Sequence, residues 1–258
     1  MSGATYFLVL QYDGSGFAGW QRQLHQRTVQ AELEDALEKL AGQRVPTMAA
    51  GRTDSGVHAL GQVVSIRMPT VWDARTLLKA LRAHTPPDLW VARAGAAPAR
   101  FHARKHALSR RYRYVIGWDP ASRSPFRRPY EWSITRAVSL ATLNAAAERF
   151  AGTHDFRSYS AVGQSKPHYR CAVSTSVWHA RGQADGCIFT VEADRFLHRM
   201  VRFMVGMMLD VAMEKRPLGD VDRVLQLLDN REASPPAPAH GLYLVGARYP
   251  QLDEGYDR

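Results

Sequence analysis

The chain has 258 residues, of which 45% are hydrophobic, and its 34 basic residues outnumber its 24 acidic residues, which gives a formal net charge of +10. This length and composition allow one large domain or two modest ones with a real hydrophobic core, and they exclude an intrinsically disordered chain. The basic excess makes polyanions the expected partners, nucleic acid before membrane.

No run of eighteen apolar residues occurs in the sequence, and the apolar segment 6–10 is too short for a signal-peptide core. We therefore expect a cytoplasmic protein without a membrane span. The two cysteines, Cys171 and Cys187, lie in two predicted strands, 171–180 and 187–194. If these strands form a hairpin, Cys187 faces position 180 and lies roughly 30 Å from Cys171, too far for a disulfide. Two unpaired thiols fit a reducing compartment.

The periodicity of the apolar residues predicts the elements in chain order. In the first part these are a strand at 6–12, a turn at 13–16, a helix from Val29 that ends before Gly42, strands near 46–50 and at 61–68, a helix around 77–81 and a strand at 89–94. In the second part they are a strand at 111–117, a helix at 140–150, strands at 171–180 and 187–194, a long helix from about 196 to 213, a short helix at 221–229 and a strand at 243–249.

Two sets of helix–strand–strand–helix lie about 110 residues apart, which indicates an internal duplication. The predicted fold class is therefore α+β, with two related halves whose mainly antiparallel sheets are covered by helices. The predicted halves are residues 1–104 and 105–258, and we expect a cleft between their sheets.

The basic residues are concentrated in one stretch, because no acidic residue occurs between Asp88 and Asp119. The cations of this stretch are Arg93, Arg100, Arg104, Lys105, Arg110, Arg111 and Arg113. Tyr112 and Tyr114 alternate with arginines on a predicted strand, so rings and guanidiniums would project from opposite faces. The pattern allows two interpretations: a surface that binds single-stranded or looped RNA, or a solvated edge strand with its tyrosines in the core.

The long predicted helix places two arginines, Arg199 and Arg202, in a methionine-rich apolar segment, three residues apart and on one face. The methionines are expected in the core. An arginine in such surroundings requires a carboxylate partner. Asp54 is the candidate partner, provided that folding brings the two halves together.

Asp54 lies in the stretch AAGRTDSGVHALGQ, residues 49–62, among small and turn-forming residues. Gly51 and Gly56 allow the backbone to turn sharply and to approach a ligand closely. A neighbouring guanidinium would favour the ionised carboxylate, which is the form that a nucleophile requires. An aspartate here can be held at the mouth of a cleft, and composition supports an ionised acid in that place but no further role. The alternative is that Asp54 is only a turn residue, which is the usual case for a lone acid in a turn.

Metal and nucleotide cofactors are not expected. His102 and His106 have the spacing of a helical metal pair, but Arg104 and Lys105 stand between them and no cysteine or acid is near in the sequence. Neither a phosphate-binding glycine loop with a lysine nor a dinucleotide fingerprint occurs. A two-carboxylate hydrolase would need a second acid, for which Asp13 is the candidate, although its context YDGSG is typical of a turn.

Several segments together resemble the tRNA pseudouridine synthase A family, in the same order and over nearly the whole chain. They are residues 12–23 with 28–37, residues 51–63 (GRTDSGVHALGQV), 101–114, 152–161, 196–206 and 237–245. The sequence departs from the family pattern at 210–215 (DVAMEK), where glycines are usual, which concerns the end of the long helix.

The resemblance implies a pseudouridine synthase fold and the isomerisation of uridine to pseudouridine in the anticodon stem-loop of tRNA, at positions 38–40, by a homodimer without cofactor or metal. Asp54 matches the catalytic aspartate, which acts at the ribose C1′ either by adding to it or by removing the 2′ proton. Tyr112 matches a tyrosine that stacks on the target base and assists removal of the C5 proton. Arg202 matches the partner of the aspartate, Arg52 is expected to help hold the RNA with the uridine extruded, and Leu242 to line the base pocket.

Two other functions stay open on the residues themselves. One is an RNA-binding protein of the same fold in which Asp54 is a turn residue. The other is a glycosidase-like hydrolase that uses Asp54 together with Asp13.

Overall fold

The structure is a computed structural model that describes residues 3–161, 168–182, 185–250 and 252. The chain forms two compact units, Met1–Arg110 together with Tyr243–Arg258, and Arg111–Leu242. The sequence predicted a boundary after residue 104, with the last strand in the second half. In the structure this strand belongs to the first unit, because Tyr243 pairs with His58 in a parallel ladder.

The first unit contains a mainly antiparallel sheet and two helices. Its elements are β1 (Ala4–Tyr12), α1 (Val29–Ala41), β2 (Met48–Ala49), β3 (His58–Met68), α2 (Ala74–His84), β4 (Leu89–Ala96) and β10 (Leu242–Arg248), except that Leu242, the first residue of β10, belongs to the second unit. The strand order is β4-β1-β3-β10, with β2 on β3, and only the β10–β3 pair is parallel. β3 is therefore the central strand, and most of its residues are buried.

Local sequence explains where these helices begin and end. The hydroxyl of Thr28 accepts a hydrogen bond from the backbone N–H of Ala31 and starts α1, and Gly42 ends α1 in the left-handed conformation with φ 67°. Asp73 starts α2 by accepting from the N–H of Thr76 at 2.8 Å. The sequence predicted both helices correctly.

The second unit also contains both strands and helices. Its elements are β5 (Ser109–Gly117), β6 (Trp132–Ser133), α3 (Leu140–Glu148), β7 (Gly152–Asp155), β8 (Arg170–Ala180), β9 (Gly186–Ala193), α4 (Met200–Ala212) and α5 (Asp220–Leu227). Its strand order is β5-β9-β8-β7, with β6 on β5. α3 packs on β8 and on α4. The chain is thus an α+β protein with mostly antiparallel strands and five α-helices among the described residues, as the sequence predicted.

The cysteine geometry is confirmed. Ala180 pairs with Cys187 in the β8–β9 hairpin, Cys171 lies near the opposite end of β8, and both cysteines are buried and outside any disulfide. Residues 183 and 184 of the predicted hairpin turn lie outside the described residues.

The predicted start of the long helix is wrong. α4 begins at Met200, because Arg199 adopts a left-handed conformation with φ 60°, so Arg199 and Arg202 do not share a helical face. α3 likewise ends at Glu148, before the predicted limit at residue 150. The short strands β6 and β7 were not predicted, since two to four residues are too few to show a period. α4 ends at Ala212, and Glu214 follows with φ 61°, within the segment 210–215.

No helix in the described ranges is long and apolar enough to span a membrane.

Gly206 lies where α4 is crossed closely by another segment of the second unit. A Cβ at this position would overlap the carbonyl oxygen of Pro235. We predict that Gly206→Ala lowers the free energy of unfolding by about 1–3 kcal/mol, the usual effect of overpacking. Equilibrium urea unfolding measures this change. Gly219→Ala is the matched control, because a Cβ there meets nothing within 4 Å, and an equal loss in both variants would contradict the prediction.

Candidate active site

Asp54 lies on a loop between β2 and β3, residues 50–57, which we call the aspartate loop. Asp54 itself is half-buried and Arg52 is exposed, whereas Thr53 between them is buried. The loop therefore places the carboxyl group and the guanidinium two residues apart on a backbone that is anchored between them.

Both ends of the aspartate loop are fixed to β3. The N–H of Ala50 donates to the carbonyl of Val63 at 2.8 Å, and the side-chain amide of Gln62 donates to the carbonyl of Gly51 at 2.6 Å. At the C-terminal end of the loop, where β3 begins, the N–H of Val57 donates to the carbonyl of Asp54 at 3.2 Å, and Gly56 turns the chain with φ 77°. The loop is thus a closed turn set on the central strand.

A buried tyrosine of β1 holds the middle of the loop. The hydroxyl of Tyr12 lies 2.8 Å from Oγ1 of Thr53 and 3.5 Å from Nε2 of Gln62. Burial raises the pKa of Tyr12 to about 12, and the hydrogen bonds to Thr53 and Gln62 oppose part of that rise. Because the phenol stays neutral at all ordinary pH values, its hydrogen bond to Thr53 persists across that range.

The segment after β1 supports the loop from another direction. The carbonyl of Thr53 accepts from the N–H of Trp20 at 3.0 Å, and the hydroxyl of Ser55 donates to the carbonyl of Phe17 at 3.2 Å. Gly19 has φ 98°, and a Cβ there would lie 2.8 Å from the carbonyl oxygen of Thr53. Only glycine allows this approach. The backbone on both sides of Asp54 is therefore held before any ligand binds.

Part of the basic stretch has a structural role that the sequence did not reveal. The guanidinium of Arg110 donates to the carbonyls of Ala50 at 3.0 Å, Arg104 at 2.6 Å and Ala107 at 3.1 Å. Within the second unit, Arg111 pairs with the buried carboxylate of Glu192 at 2.9 Å. The exposed cations of the stretch are Arg93, Arg100, Arg104, Lys105 and Arg113.

Both tyrosines of β5 are buried, as the interpretation with core tyrosines predicted. The edge-strand part of that interpretation is wrong, because β5 pairs with both β9 and β6. Tyr114 is fully buried, and Tyr112 is 7% exposed with its ring in an edge contact with Phe196 at 5.0 Å between centroids. The protein itself therefore covers most of the Tyr112 side chain in this structure.

A segment of residues 235–242, which we call the strap, contains Leu242 and is hydrogen-bonded to Arg202. These two residues are the other site candidates of the second unit. Nε of Arg202 donates to the carbonyl of Ala237 at 2.7 Å, and the N–H of Ala237 donates back to the carbonyl of Arg202 at 2.9 Å. The hydroxyl of Tyr114 donates to the carbonyl of Pro238 at 2.8 Å. The strap ends at Leu242, which is 6% exposed.

Tyr114 and Gly241 fix the end of the strap. A Cβ at Gly241 would lie 2.7 Å from the Tyr114 ring, so glycine lets the backbone pass directly over the ring. Burial raises the pKa of Tyr114 well above its usual value, and the nearby charge of Arg202 partly opposes that rise. The tyrosine therefore remains a hydrogen-bond donor to the strap.

The predicted site residues fall into two groups. Arg52 and Asp54 share the aspartate loop of the first unit. In the second unit, Arg202 of α4 donates to the strap at Ala237, and Leu242 is the last residue of the strap. Tyr112 lies in the same unit, on β5. The pairing of Asp54 with Arg202 stays a prediction.

The two histidines that resembled a metal pair have structural partners. Nδ1 of His102 accepts from the backbone N–H groups of Arg104 at 3.2 Å and Lys105 at 3.3 Å. Burial, followed by the charge of Lys105, lowers the pKa of His102, so the ring is a neutral acceptor. Within the described ranges, no three His, Cys, Asp or Glu side chains are grouped to hold a metal.

Asp13 has the turn role that its sequence context indicated. Its Oδ1 accepts from the N–H of Ser15 at 2.9 Å at the start of a single 3₁₀ turn, Gly14–Gly16.

Tyr12 and Gln62 lie in family-like segments, but the sequence reasoning predicted no role for either residue. For Gln62 the sequence does contain an indication. It is a polar residue in the run ALGQVVSI, where β3 is buried on both faces, and a fully buried amide is retained where it has specific partners. Tyr12 carried no comparable signal, because tyrosine is common in strands.

The structure is therefore that of an α+β protein with an aspartate on a hydrogen-bonded loop and with exposed cations that suit a polyanionic ligand such as nucleic acid. The family model described as tRNA pseudouridine synthase matches residues 8–104 and 146–250. The chain belongs to this family of isomerases that act on RNA uridine.

Curated relatives agree with this assignment over almost the full length of both chains. A protein named tRNA pseudouridine synthase A from Ralstonia nicotianae is 38% identical over 248 residues, which cover 94% of this chain and 89% of the relative. Proteins of the same name from Exiguobacterium sp. and Chloroflexus aurantiacus are 37% and 39% identical, with 95% of this chain covered in each case and 98% and 89% of the relatives.

The Tyr12 hydroxyl is expected to hold the aspartate loop in its working position. We predict that Tyr12→Phe lowers the free energy of unfolding by about 1–3 kcal/mol, because Thr53 loses a buried partner, and lowers kcat for pseudouridine formation roughly ten-fold by displacing the loop. Chemical unfolding and single-turnover assays measure the two effects.

Tyr6→Phe is the matched control, since the Tyr6 hydroxyl is bonded to Trp72, at 2.7 Å, and makes no contact with the loop. It should lower stability but leave kcat unchanged. Equal losses of kcat in the two variants would contradict a positioning role for Tyr12.

Proposed function

We propose that this chain isomerises uridine to pseudouridine in the anticodon stem-loop of tRNA, at positions 38–40, with Asp54 as the catalytic residue. The observation that carries this proposal is the position of Asp54 in the family's GRTD segment, on a loop whose backbone is anchored to β1, β3 and the segment after β1. An acid that reacts at one sugar carbon must be held in place before the substrate arrives. A turn residue without a function would not need this support.

The proposed reaction begins at the ribose. Asp54 acts at C1′, either by adding to it or by removing the 2′ proton, and the N-glycosidic bond breaks. The detached uracil turns while it is still enclosed, and its C5 bonds to C1′ as the bond from Asp54 breaks or as the 2′ proton is returned. The C5 proton is then removed, with Tyr112 assisting, and N1 takes up a proton. The product is therefore an isomer of the substrate, and the proposed reaction needs no cofactor or metal.

The other candidates are assigned to binding. Arg202 would pair with Asp54 and favour its ionised form, which requires the two units to enclose a cleft as two related halves. Arg52, exposed on the aspartate loop, would hold the RNA backbone with the uridine extruded. Leu242 would line the base pocket, and an apolar lining would keep water from the sugar.

Extrusion of the target nucleotide costs a few kcal/mol, because the base leaves its stack. Stacking on an aromatic ring returns about 1–3 kcal/mol per base. Tyr112 is 7% exposed, so stacking on its ring requires that part of it be uncovered when RNA binds. We further propose that the enzyme is a homodimer. We also propose that it lies in the cytoplasm, a reducing compartment that suits Cys171 and Cys187, since neither forms a disulfide.

A tRNA transcript tritiated at uracil C5 tests the role of Asp54. Wild type should release tritium, and Asp54→Asn should reduce the rate at least roughly a thousand-fold while tRNA binding is largely kept. Asp73→Asn is the matched control, because asparagine caps a helix as well as aspartate does and Asp73 only caps α2. It should release tritium at the wild-type rate.

The same assay separates the two alternatives. Free uracil in the medium would identify a hydrolase, and tRNA binding without tritium release by wild type on any transcript would identify an RNA-binding protein. Either result would overturn the proposed function.

Tyr112→Phe tests how Tyr112 acts. The ring is kept and the hydroxyl is lost, so stacking predicts a dissociation constant for tRNA within about two-fold of wild type, since phenylalanine stacks as well as tyrosine. Filter binding measures it. A large rise in the dissociation constant would show that the hydroxyl, and not the ring face, contributes the binding energy.

A further inference from the structure

The segment between β5 and β6 carries the most exposed large hydrophobic side chain of the described residues. Phe126 is 87% exposed, and Tyr130 in the same segment is 42% exposed. We call residues 120–130 (PASRSPFRRPY) the aromatic–arginine loop. An isolated exposed aliphatic side chain needs no explanation, but an exposed phenylalanine at the tip of an ordered loop is unusual.

The base of this loop is held by charges. The guanidinium of Arg127 makes two hydrogen bonds to the carboxylate of Asp119, at 2.6 and 2.9 Å, and its Nε lies 2.7 Å from Glu131. Arg181 contacts the other carboxylate oxygen of Glu131, which is 2% exposed. A buried carboxylate is tolerated only with such partners. This network leaves Phe126 out.

Turns and a buried serine fix the rest of the loop. The N–H groups of Arg127 and Arg128 both donate to the carbonyl of Ser124, at 3.2 and 2.8 Å. The hydroxyl of Ser122 donates to the carbonyl of Asp119 and lies 2.7 Å from the hydroxyl of Ser133. The loop therefore has a defined shape without any contribution from the Phe126 ring, which is available to a partner.

The charged residues of the aromatic–arginine loop itself are three arginines, with no acid. Arg127 is paired with Asp119 and Glu131 in the network at the base, whereas Arg123 and Arg128 are exposed and take part in no ion pair among the described residues. An exposed ring that is flanked along the chain by exposed cations is the combination that stacks a base and neutralises phosphates.

We propose that the aromatic–arginine loop binds an unpaired segment of the RNA substrate, with a base stacked on Phe126 and adjacent phosphates on Arg123 and Arg128. The proposal rests on the RNA substrate of the proposed function and adds a second contact, outside the aspartate loop. A second copy of the chain fits less well where the two-fold axis would pass through the loop, because the loop would then face itself and bring like charges together.

The experiment measures the dissociation constant of the full-length protein for an unmodified tRNA transcript by filter binding at several salt concentrations. Phe126→Ala should weaken binding roughly ten-fold, as expected for the loss of one stacked base, and should raise KM while kcat stays unchanged. Arg128→Gln should reduce the slope of log affinity against log salt by about 0.7–0.9, for one phosphate contact.

Two matched controls accompany these variants. Phe126→Tyr keeps an aromatic face and should bind as wild type does. Val71→Ala also removes an exposed apolar side chain, 75% exposed and in the first unit, and should change nothing. Because the Phe126 side chain is almost fully solvated, its replacement should leave the unfolding curve unchanged.

An unchanged dissociation constant for Phe126→Ala would overturn the proposal. So would a change in sedimentation mass with unaltered RNA affinity, which would make the loop a self-association surface. The outcome is independent of catalysis. If wild type released no tritium but Phe126→Ala still bound RNA more weakly, the proposed function would fail and this surface would stand.

Discussion

The hydrogen bond between the buried hydroxyl of Tyr12 and the side chain of Thr53 is the contact on which the candidate site depends. It joins the first strand of the fold to the loop that carries Asp54. Gln62 extends the contact to the central strand and to the carbonyl of Gly51. Because all three side chains are buried, water cannot replace a lost partner, and the loop position is tied to the packing of the sheet.

Close backbone approaches perform a similar task elsewhere in the fold. Gly19 lets the chain touch the aspartate loop, Gly206 lets a strap cross α4, and Gly241 lets the strap pass over the ring of Tyr114. In each case a side chain would force two backbones or a ring apart. The strap then carries both the carbonyl that receives Arg202 and the buried Leu242. The candidate residues are thus held by backbone geometry more than by one another.

The distribution of charge follows a single physical rule. The buried carboxylates among the described residues, Glu34, Glu131 and Glu192, each lie beside an arginine, since an unpaired buried charge would be too costly. These three buried carboxylates are therefore paired within the structure, and cations that are not needed for such pairs remain exposed on the surface. The arginines of the basic stretch divide in the same way, with Arg110 and Arg111 committed to the fold and Arg113 exposed.

The sequence by itself determined the α+β class, most of the helices and strands, the β8–β9 hairpin with its separated cysteines, and the family. These features depend on local periodicity, on turn residues and on a contiguous motif. Tertiary structure decided that Arg199 precedes α4 in a left-handed conformation, that the last strand joins the first unit, and that Tyr12 and Gln62 support Asp54. Each of these involves residues far apart in the chain or a backbone state that side-chain patterns do not encode. Spacing along one chain shows which residues share a face, but only folding selects which faces meet.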